Sequence, residues 1–363
     1  MKKLEINKSD LENNLNIIKN IDNKIEIIAV VKANGMGLGL IEYSKILIEN
    51  GIEILAVANV YEAIALRKAE IKKEILMLTP CIEKKDLQLL IEHDITLTIG
   101  SLEECNLIKE ILEASTKKEV KVHIKIDTGF GRYGFLYNDT ETILDIFNME
   151  NNIKILGIYT HFSKPENQKW TSIQYNRFRE TIEKINENGF NTGILHCCAS
   201  TAFLKYPKMR LDAVRIGSAI QGRTLTKQEG LVKIGNFKSN IIEIKTLPKG
   251  YNISYGNTYK TKKETKIAVI PVGYVDGLNK NRLRDDFSLK NNIIAVGMEF
   301  KKIFKNNSLK VKINGNYYKI IGRLGMYHSI IDITNSNNIN INDEVELEIA
   351  PLQINDIIRR EYI

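Results

Sequence analysis

Apolar residues follow two alternating textures through the first two-thirds of the chain. Short continuous runs, such as Ile27–Val31 and the nearly continuous Ile153–Tyr159, read as strands covered on both faces. Stretches with apolar positions three and four apart, such as Ile41–Asn50 and Tyr61–Lys68, read as amphipathic helices. The pattern predicts strands over 25–31, 54–58, 75–79, 95–99, 120–127, 153–160, 194–197 and 212–216. About eight strand–helix units in about 230 residues is the count and length of a (β/α)8 barrel. An open doubly wound sheet alternates in the same way and is the competing arrangement.

After about residue 236 the texture changes. Short strands are predicted over 266–272, 292–296, 309–314, 317–322, 329–333 and 344–349, separated by Asn, Gly and Asp, and no long helix is expected there. Asn314-Gly315-Asn316 is a hairpin signal. The expected class is therefore α/β: a (β/α)8 barrel over 1–235, then a β-rich domain over 236–363. There is no internal repeat, and Asn335–Asn342 reads as a surface loop.

The net charge of +8, from 52 basic and 44 acidic residues, changes this picture little. The charges interleave, as in Ile82-Glu83-Lys84-Lys85-Asp86, so they read as solvated helix faces and no nucleic-acid partner is expected. Cys81, Cys105, Cys197 and Cys198 lack metal-ligand spacing, so no metal site and no disulfide framework is expected. No apolar run is long enough to span a bilayer, and Met1-Lys2-Lys3-Leu4-Glu5 lacks a secretory apolar core. The expectation is a cytoplasmic protein with no membrane partner.

Barrels gather their chemistry at the carboxyl ends of the strands, and several unusual residues fall there. Lys32 leaves the first strand and opens the turn Lys32-Ala33-Asn34-Gly35-Met36-Gly37-Leu38-Gly39. A lysine in that place loses its proton readily and becomes a nucleophile. Lys125-Ile126-Asp127-Thr128-Gly129-Phe130-Gly131-Arg132 closes strand five, His161 follows strand six, and His196 and Ser200 follow strand seven. Arg215-Ile216-Gly217-Ser218 closes strand eight. Ser200, Gly217 and Ser218 occupy the usual barrel phosphate position. Each residue also has an ordinary explanation: a strand-end lysine, a capping or core His161, a salt-bridged Arg215, a helix N-cap at Ser200. Their convergence on one barrel face favours a site.

These motifs resemble the alanine racemase family over nearly the whole chain. The matching segments are Val30-Val31-Lys32-Ala33-Asn34, Lys125–Phe135, Thr160-His161-Phe162, Val214-Arg215-Ile216-Gly217, Ser254-Tyr255-Gly256 and Gly273-Tyr274-Val275-Asp276-Gly277. The resemblance implies pyridoxal 5'-phosphate as cofactor, an amino-acid substrate, most simply alanine, and a homodimer in which Tyr255 enters the neighbour's site. Lys32 would bond to the cofactor and act as one acid/base group, with Tyr255 on the opposite face of the substrate α-carbon. An ordinary phenol favours its protonated form by about 4 kcal/mol at neutral pH, so the surroundings of such a tyrosine must offset part of that. By the same resemblance, His161 contacts the tyrosine and is linked to Arg215, which donates to the cofactor's ring nitrogen. Ser200, Gly217 and Ser218 would hold the phosphate. Arg132 and Met326 would contact substrate, and Lys125, four residues after Lys121, is a candidate for carbamylation that helps to fix Arg132.

The chain departs from the family pattern in places. Met36 stands where a tyrosine is usual, Leu38 for a histidine, Ala199 for an asparagine, and Gly325-Met326-Tyr327 for Cys-Met-Asp. A late tyrosine that contacts phosphate has no clear counterpart in Ile357–Tyr362. These changes leave cofactor affinity and substrate choice open. A racemase for serine or a basic amino acid is one alternative, and a non-catalytic pyridoxal-phosphate-binding regulator is another. A decarboxylase on this fold is disfavoured, because no cysteine follows Cys198.

Overall fold

The computed structural model describes residues 2–117, 119–149, 152–280, 289, 292–294, 296–297 and 309–363 of the 363. It divides into two compact units, Lys8–Ile234 and a second made of Met1–Asn7 with Gly235–Ile363. The first unit contains eight parallel strands: Glu26–Val30, Ile54–Val57, Glu74–Met77, Leu97–Ile99, Val120–Asp127, Ile153–Tyr159, Ile194–Ala199 and Ala213–Ile216. The last strand pairs with the first, Ala213 beside Glu26. The third and fourth strands meet at Leu76 and Thr96, where the Met77 N–H donates to the Thr96 carbonyl at 2.8 Å. That junction makes the sheet a nearly closed barrel and removes the open doubly wound alternative.

The strands form here because they are apolar on both faces. Ile54–Val57 and Ala213–Ile216 are buried at every residue, one side toward the axis and the other beneath the helices. Ile28, Ile54, Ala56, Leu76 and Ala213 pack as one cluster. The predicted helices appear as Leu40–Glu49 and Val60–Lys68, the second capped by the Asn59 side chain accepting from the Glu62 N–H. Ser101 and Glu104 make a reciprocal capping box at the head of Leu102–Glu113.

Among the described residues, the second unit holds a curled nine-stranded sheet and the short pair Asn252–Ile253 with Tyr259–Lys260. The order of the nine strands is Glu243–Leu247, Thr265–Ile270, Ser329–Asp332, Asn316–Ile321, Lys310–Ile313, Glu344–Leu347, Asn236–Asn240, Lys3–Ile6 and Arg359–Tyr362. All neighbours are antiparallel except the last pair. Asn314 and Gly315 both have positive φ and close the predicted two-residue hairpin.

Two expectations need correction. Residues 1–7, assigned to the barrel from the sequence, belong to the second unit, because Lys3–Ile6 pairs with Asn236–Asn240 and Arg359–Tyr362. A four-residue strand gives no sequence signal of its partner, since pairing is long-range. The predicted strand 292–296 includes residue 295, which lies outside the described residues, and its described residues are helical.

Candidate active site

Lys32 is held by an unusual piece of backbone. After the first barrel strand, Ala33, Asn34, Gly35 and Met36 all have φ between 54° and 64°, followed by Gly37 at 86°. A run of left-handed residues costs about 1–2 kcal/mol for each that is not glycine. Hydrogen bonds hold it: the Asn34 N–H donates to Glu62 Oε1 at 2.9 Å, and Asn34 Oδ1 accepts from the Leu40 N–H at 2.9 Å. Leu38 is fully buried, so this turn is anchored by an apolar side chain.

The turn rims a cavity of about 360 Å³ at the carboxyl ends of the strands. Lys32, Lys125, Arg132 and Arg215 all line it, and among the described residues no aspartate or glutamate does. Burial, then the charges of Arg132 and Arg215, lower the pKa of Lys32. Lys125 is buried, donates to the Ile126 carbonyl at 2.7 Å, and is brought down to about 7, by burial first and Arg215 second. Such an amine is substantially neutral near pH 7.

Arg215 is buried, and its donors go to neutral acceptors: His196 Nδ1, the carbonyls of Thr160, His196 and Cys197, and His161 Nδ1 at 3.3 Å. None of these is a carboxylate, which removes the salt-bridge explanation. Burial and the charge of Arg215 push the His161 pKa well below the ordinary histidine value, so its ring is neutral. Arginine can only donate. His161 Nδ1 therefore accepts, and the proton of the neutral ring sits on Nε2.

Arg132 lies over the rings of Phe130 and Tyr133, each at 4.5 Å. The loop that carries it wraps the Asp127 carboxylate, which accepts from the N–H groups of Gly129, Phe130, Gly131 and Arg132. Burial opposes the Asp127 charge, but the backbone donors hold its pKa below the ordinary value. Ser200 does not cap its own helix Ser200–Lys205. Its Oγ accepts instead from the Gly217 and Ala219 N–H groups, both at 3.2 Å, tying strands seven and eight together. Ser218 also lines the cavity. A Cβ on Gly217 would come within 3.3 Å of Val30 Cβ and 3.5 Å of Met36 Cε, so glycine keeps this corner open.

Tyr255 and Met326 lie in the second unit, apart from this cavity's lining. Tyr255 is 71% exposed and opens the short turn Tyr255–Asn257. Ser254 before it has φ 65° and ψ −169°, a conformation costing about 1–3 kcal/mol outside glycine. Met326 and Tyr327 are also exposed.

Residues 6–224 match the family model described as alanine racemase, N-terminal domain, and residues 234–357 match alanine racemase, C-terminal domain. The chain belongs to the alanine racemase family. An alanine racemase of Methanococcus maripaludis is 37% identical over 351 residues, covering 94% of this chain and 87% of that protein. One of Clostridium novyi is 34% identical, with coverages of 94% and 84%. Among solved structures, alanine racemase of Clostridium difficile 630 superposes with a TM-score of 0.87 at 29% identity, covering 100% of this chain and 95% of that one. The Bacillus anthracis enzyme, solved with bound L-Ala-P, gives 0.81 at 28%, covering 95% and 85%.

Alanine racemases depend on pyridoxal phosphate, and the cavity fits that group. Its two arginines match an anion, its open glycine corner matches a phosphate, and Arg215 spends no charge on a carboxylate among the described residues. Met36 lines the cavity with a thioether that cannot donate. Sequence reasoning missed Tyr159, whose ring stacks on His196 at 4.8 Å and lies under Lys125 and Arg215. It also set His196 after strand seven, whereas His196 lies within that strand, fully buried. Both residues sit in continuous apolar runs that look like ordinary core.

Proposed function

We propose that this protein is a pyridoxal-phosphate-dependent alanine racemase, an isomerase interconverting L- and D-alanine as a homodimer in the cytoplasm. The observation that carries this reading is the cavity around the buried Arg215, lined by four basic side chains and, among the described residues, by no acidic one. Three buried cysteines and a half-buried one, all free, accord with a reducing compartment.

When bound, pyridoxal phosphate supplies an electron-withdrawing ring that stabilises negative charge at the substrate α-carbon. Ser200, Gly217 and Ser218 would hold its phosphate, and Lys32 would be the residue to which it attaches. Arg215 would serve the ring nitrogen as an obligate donor, which would leave that nitrogen without a proton and keep the charge-stabilising power moderate. Arg132 pairs with the substrate carboxylate through its fork of donors. Lys125, with its neutral amine, would add to CO2 through Nζ, releasing one proton to solvent, and the resulting carbamate would give Arg132 a fixed anionic partner.

Inversion needs a proton to leave one face of the α-carbon and another to arrive on the opposite face. Lys32 Nζ would exchange the proton on one face, and the burial that lowers its pKa favours the free amine that such a base needs. The Tyr255 phenolic oxygen of a second copy works on the other face. His161 carries its proton on Nε2 and can donate to that oxygen, stabilising the phenolate. Met326 borders substrate entry. The exposure of Tyr255 in a single chain supports a role at a neighbour's site.

The test is deuterium uptake from heavy water at the α-carbon across a panel of L-amino acids, with Tyr255→Phe beside the unmodified protein. Alanine should exchange fastest and invert, and Tyr255→Phe should lose inversion far more than cofactor binding. Faster inversion of serine or lysine would redirect the substrate assignment. Bound cofactor with no exchange of any amino acid would make the protein a regulator instead.

A further inference from the structure

The interior of the barrel, below the cavity, contains polar groups that the reaction above does not use. His196 Nδ1 faces the Arg215 guanidinium, and His196 Nε2 lies 2.8 Å from His123 Nδ1. Both histidines are fully buried. His123 Nε2 then lies 3.9 Å from Glu74 Oε1, and both of these atoms are buried with no hydrogen-bond partner. Glu74 begins its strand, Glu74–Met77, so it stands at the barrel's amino-terminal floor. The groups thus run from floor to mouth: Glu74, His123, His196, Arg215.

The protonation pattern follows from donor chemistry. Arginine can only donate, so His196 Nδ1 accepts. A neutral His196 then carries its hydrogen on Nε2 and donates to His123 Nδ1. His123, neutral in turn, carries its hydrogen on Nε2 and presents it to Glu74. At 3.9 Å the orphaned donor and the orphaned acceptor are not in direct hydrogen-bond contact, and a small approach or one bridging water would satisfy both. Space is also provided: a Cβ at Gly157 would come within 2.8 Å of His123 Cε1 and 2.9 Å of His123 Nδ1. Only glycine there admits the ring.

We propose that His196, His123 and Glu74 are positioning residues, a one-way relay of hydrogen bonds along the barrel interior that fixes Arg215 from behind, with Glu74 as its terminal acceptor. Burial keeps both histidines neutral: it brings His123 down to about 3 and His196 well below the ordinary value. Burial also raises the Glu74 pKa, and Asp94 adds to this, while Lys121, Thr96 and Arg67 oppose it. A carboxylate at the far end strengthens each acceptor in turn and draws charge away from the guanidinium. The consequence at the ring nitrogen rests on the racemase reading; the tautomers do not.

The experiment is long-range 1H–15N NMR on protein labelled with 15N-histidine, with and without pyridoxal phosphate, using His123→Gln for assignment. In the unmodified protein His123 and His196 should both show the Nε2–H form and no titration between pH 6 and 8. Glu74→Gln should move the His123 Nε2–H signal, then that of His196 by less. It should also raise transamination relative to racemisation several-fold, with KM for alanine unchanged. An Nδ1–H form at either ring, a titrating His123 or His196, or a His123 signal indifferent to Glu74→Gln would overturn the relay. Because the tautomers are read in the unmodified protein, poor folding of a variant does not spare the proposal. The correct NMR pattern without racemase activity would overturn the functional reading alone.

Discussion

In the proposed reaction Arg215 is the residue on which the chemistry of the cavity turns. It is buried without a carboxylate, and arginine does not surrender its proton. Arg215→Glu replaces an obligate donor by a group that tolerates a protonated ring nitrogen, so the fraction of turnovers ending in transamination should rise. Pyruvate formed per racemisation event measures this, and an unchanged ratio counts against the assigned role. Lys125 gives a second residue-scale prediction. With its pKa brought to about 7, its neutral fraction grows as pH rises through that value, and CO2 adds only to the neutral amine. Protein in 13C-bicarbonate should therefore show a carbamate carbon signal that grows from pH 6 to 8 and is missing in Lys125→Arg. Lys32, His161, Arg132 and Arg215 were legible as candidates because charged residues at the ends of apolar strands are unusual. His123, His196 and Tyr159 were not legible as polar partners, since a histidine within a strand gives no sign of which way it points.

The left-handed turn after the first barrel strand is the element that sets Lys32. Asn34 contributes twice, through tolerance of positive φ and through the bond from the Leu40 N–H. Asn34→Ala should cost about 1–2 kcal/mol of stability, read as a lower urea midpoint, and should weaken pyridoxal phosphate binding in an absorbance titration. Full stability and full affinity would mean that the turn does not hold the site. The sequence marked this segment as a turn by its glycines. It did not reveal that Ala33, Asn34 and Met36 join the glycines in left-handed geometry, because only contacts such as Asn34 with Glu62, far along the chain, make that conformation hold.

For the whole molecule the decisive question is where Tyr255 works. A two-fold dimer with shared sites predicts complementation in trans. Mixing Lys32→Ala subunits with Tyr255→Phe subunits, each nearly inactive, should rebuild one complete site per mixed dimer. With random exchange that restores about a quarter of the unmodified activity. Racemisation assayed after unfolding and co-refolding checks this, and no recovery would mean that each chain uses its own Tyr255. At this scale the alternation of apolar textures announced the barrel and the change of texture announced the second unit. The pairing of Lys3–Ile6 with that second unit was hidden, because strand pairing depends on residues far apart in sequence.

The sequence by itself determined the eight strand–helix units, the two-part organisation and which charged side chains emerge at strand ends. These follow from local periodicity and from the rarity of charge beside buried strands. The tertiary structure alone decided that the sheet nearly closes, that four basic side chains share one cavity with no acidic residue among the described lining, and that Arg215 is backed by imidazoles rather than by a carboxylate. Those features depend on which strands become neighbours and which faces meet. The order in which the fifth to eighth barrel strands lie side by side brings His123, His196 and Arg215 together, although 92 positions of chain, from 123 to 215, separate the first from the last.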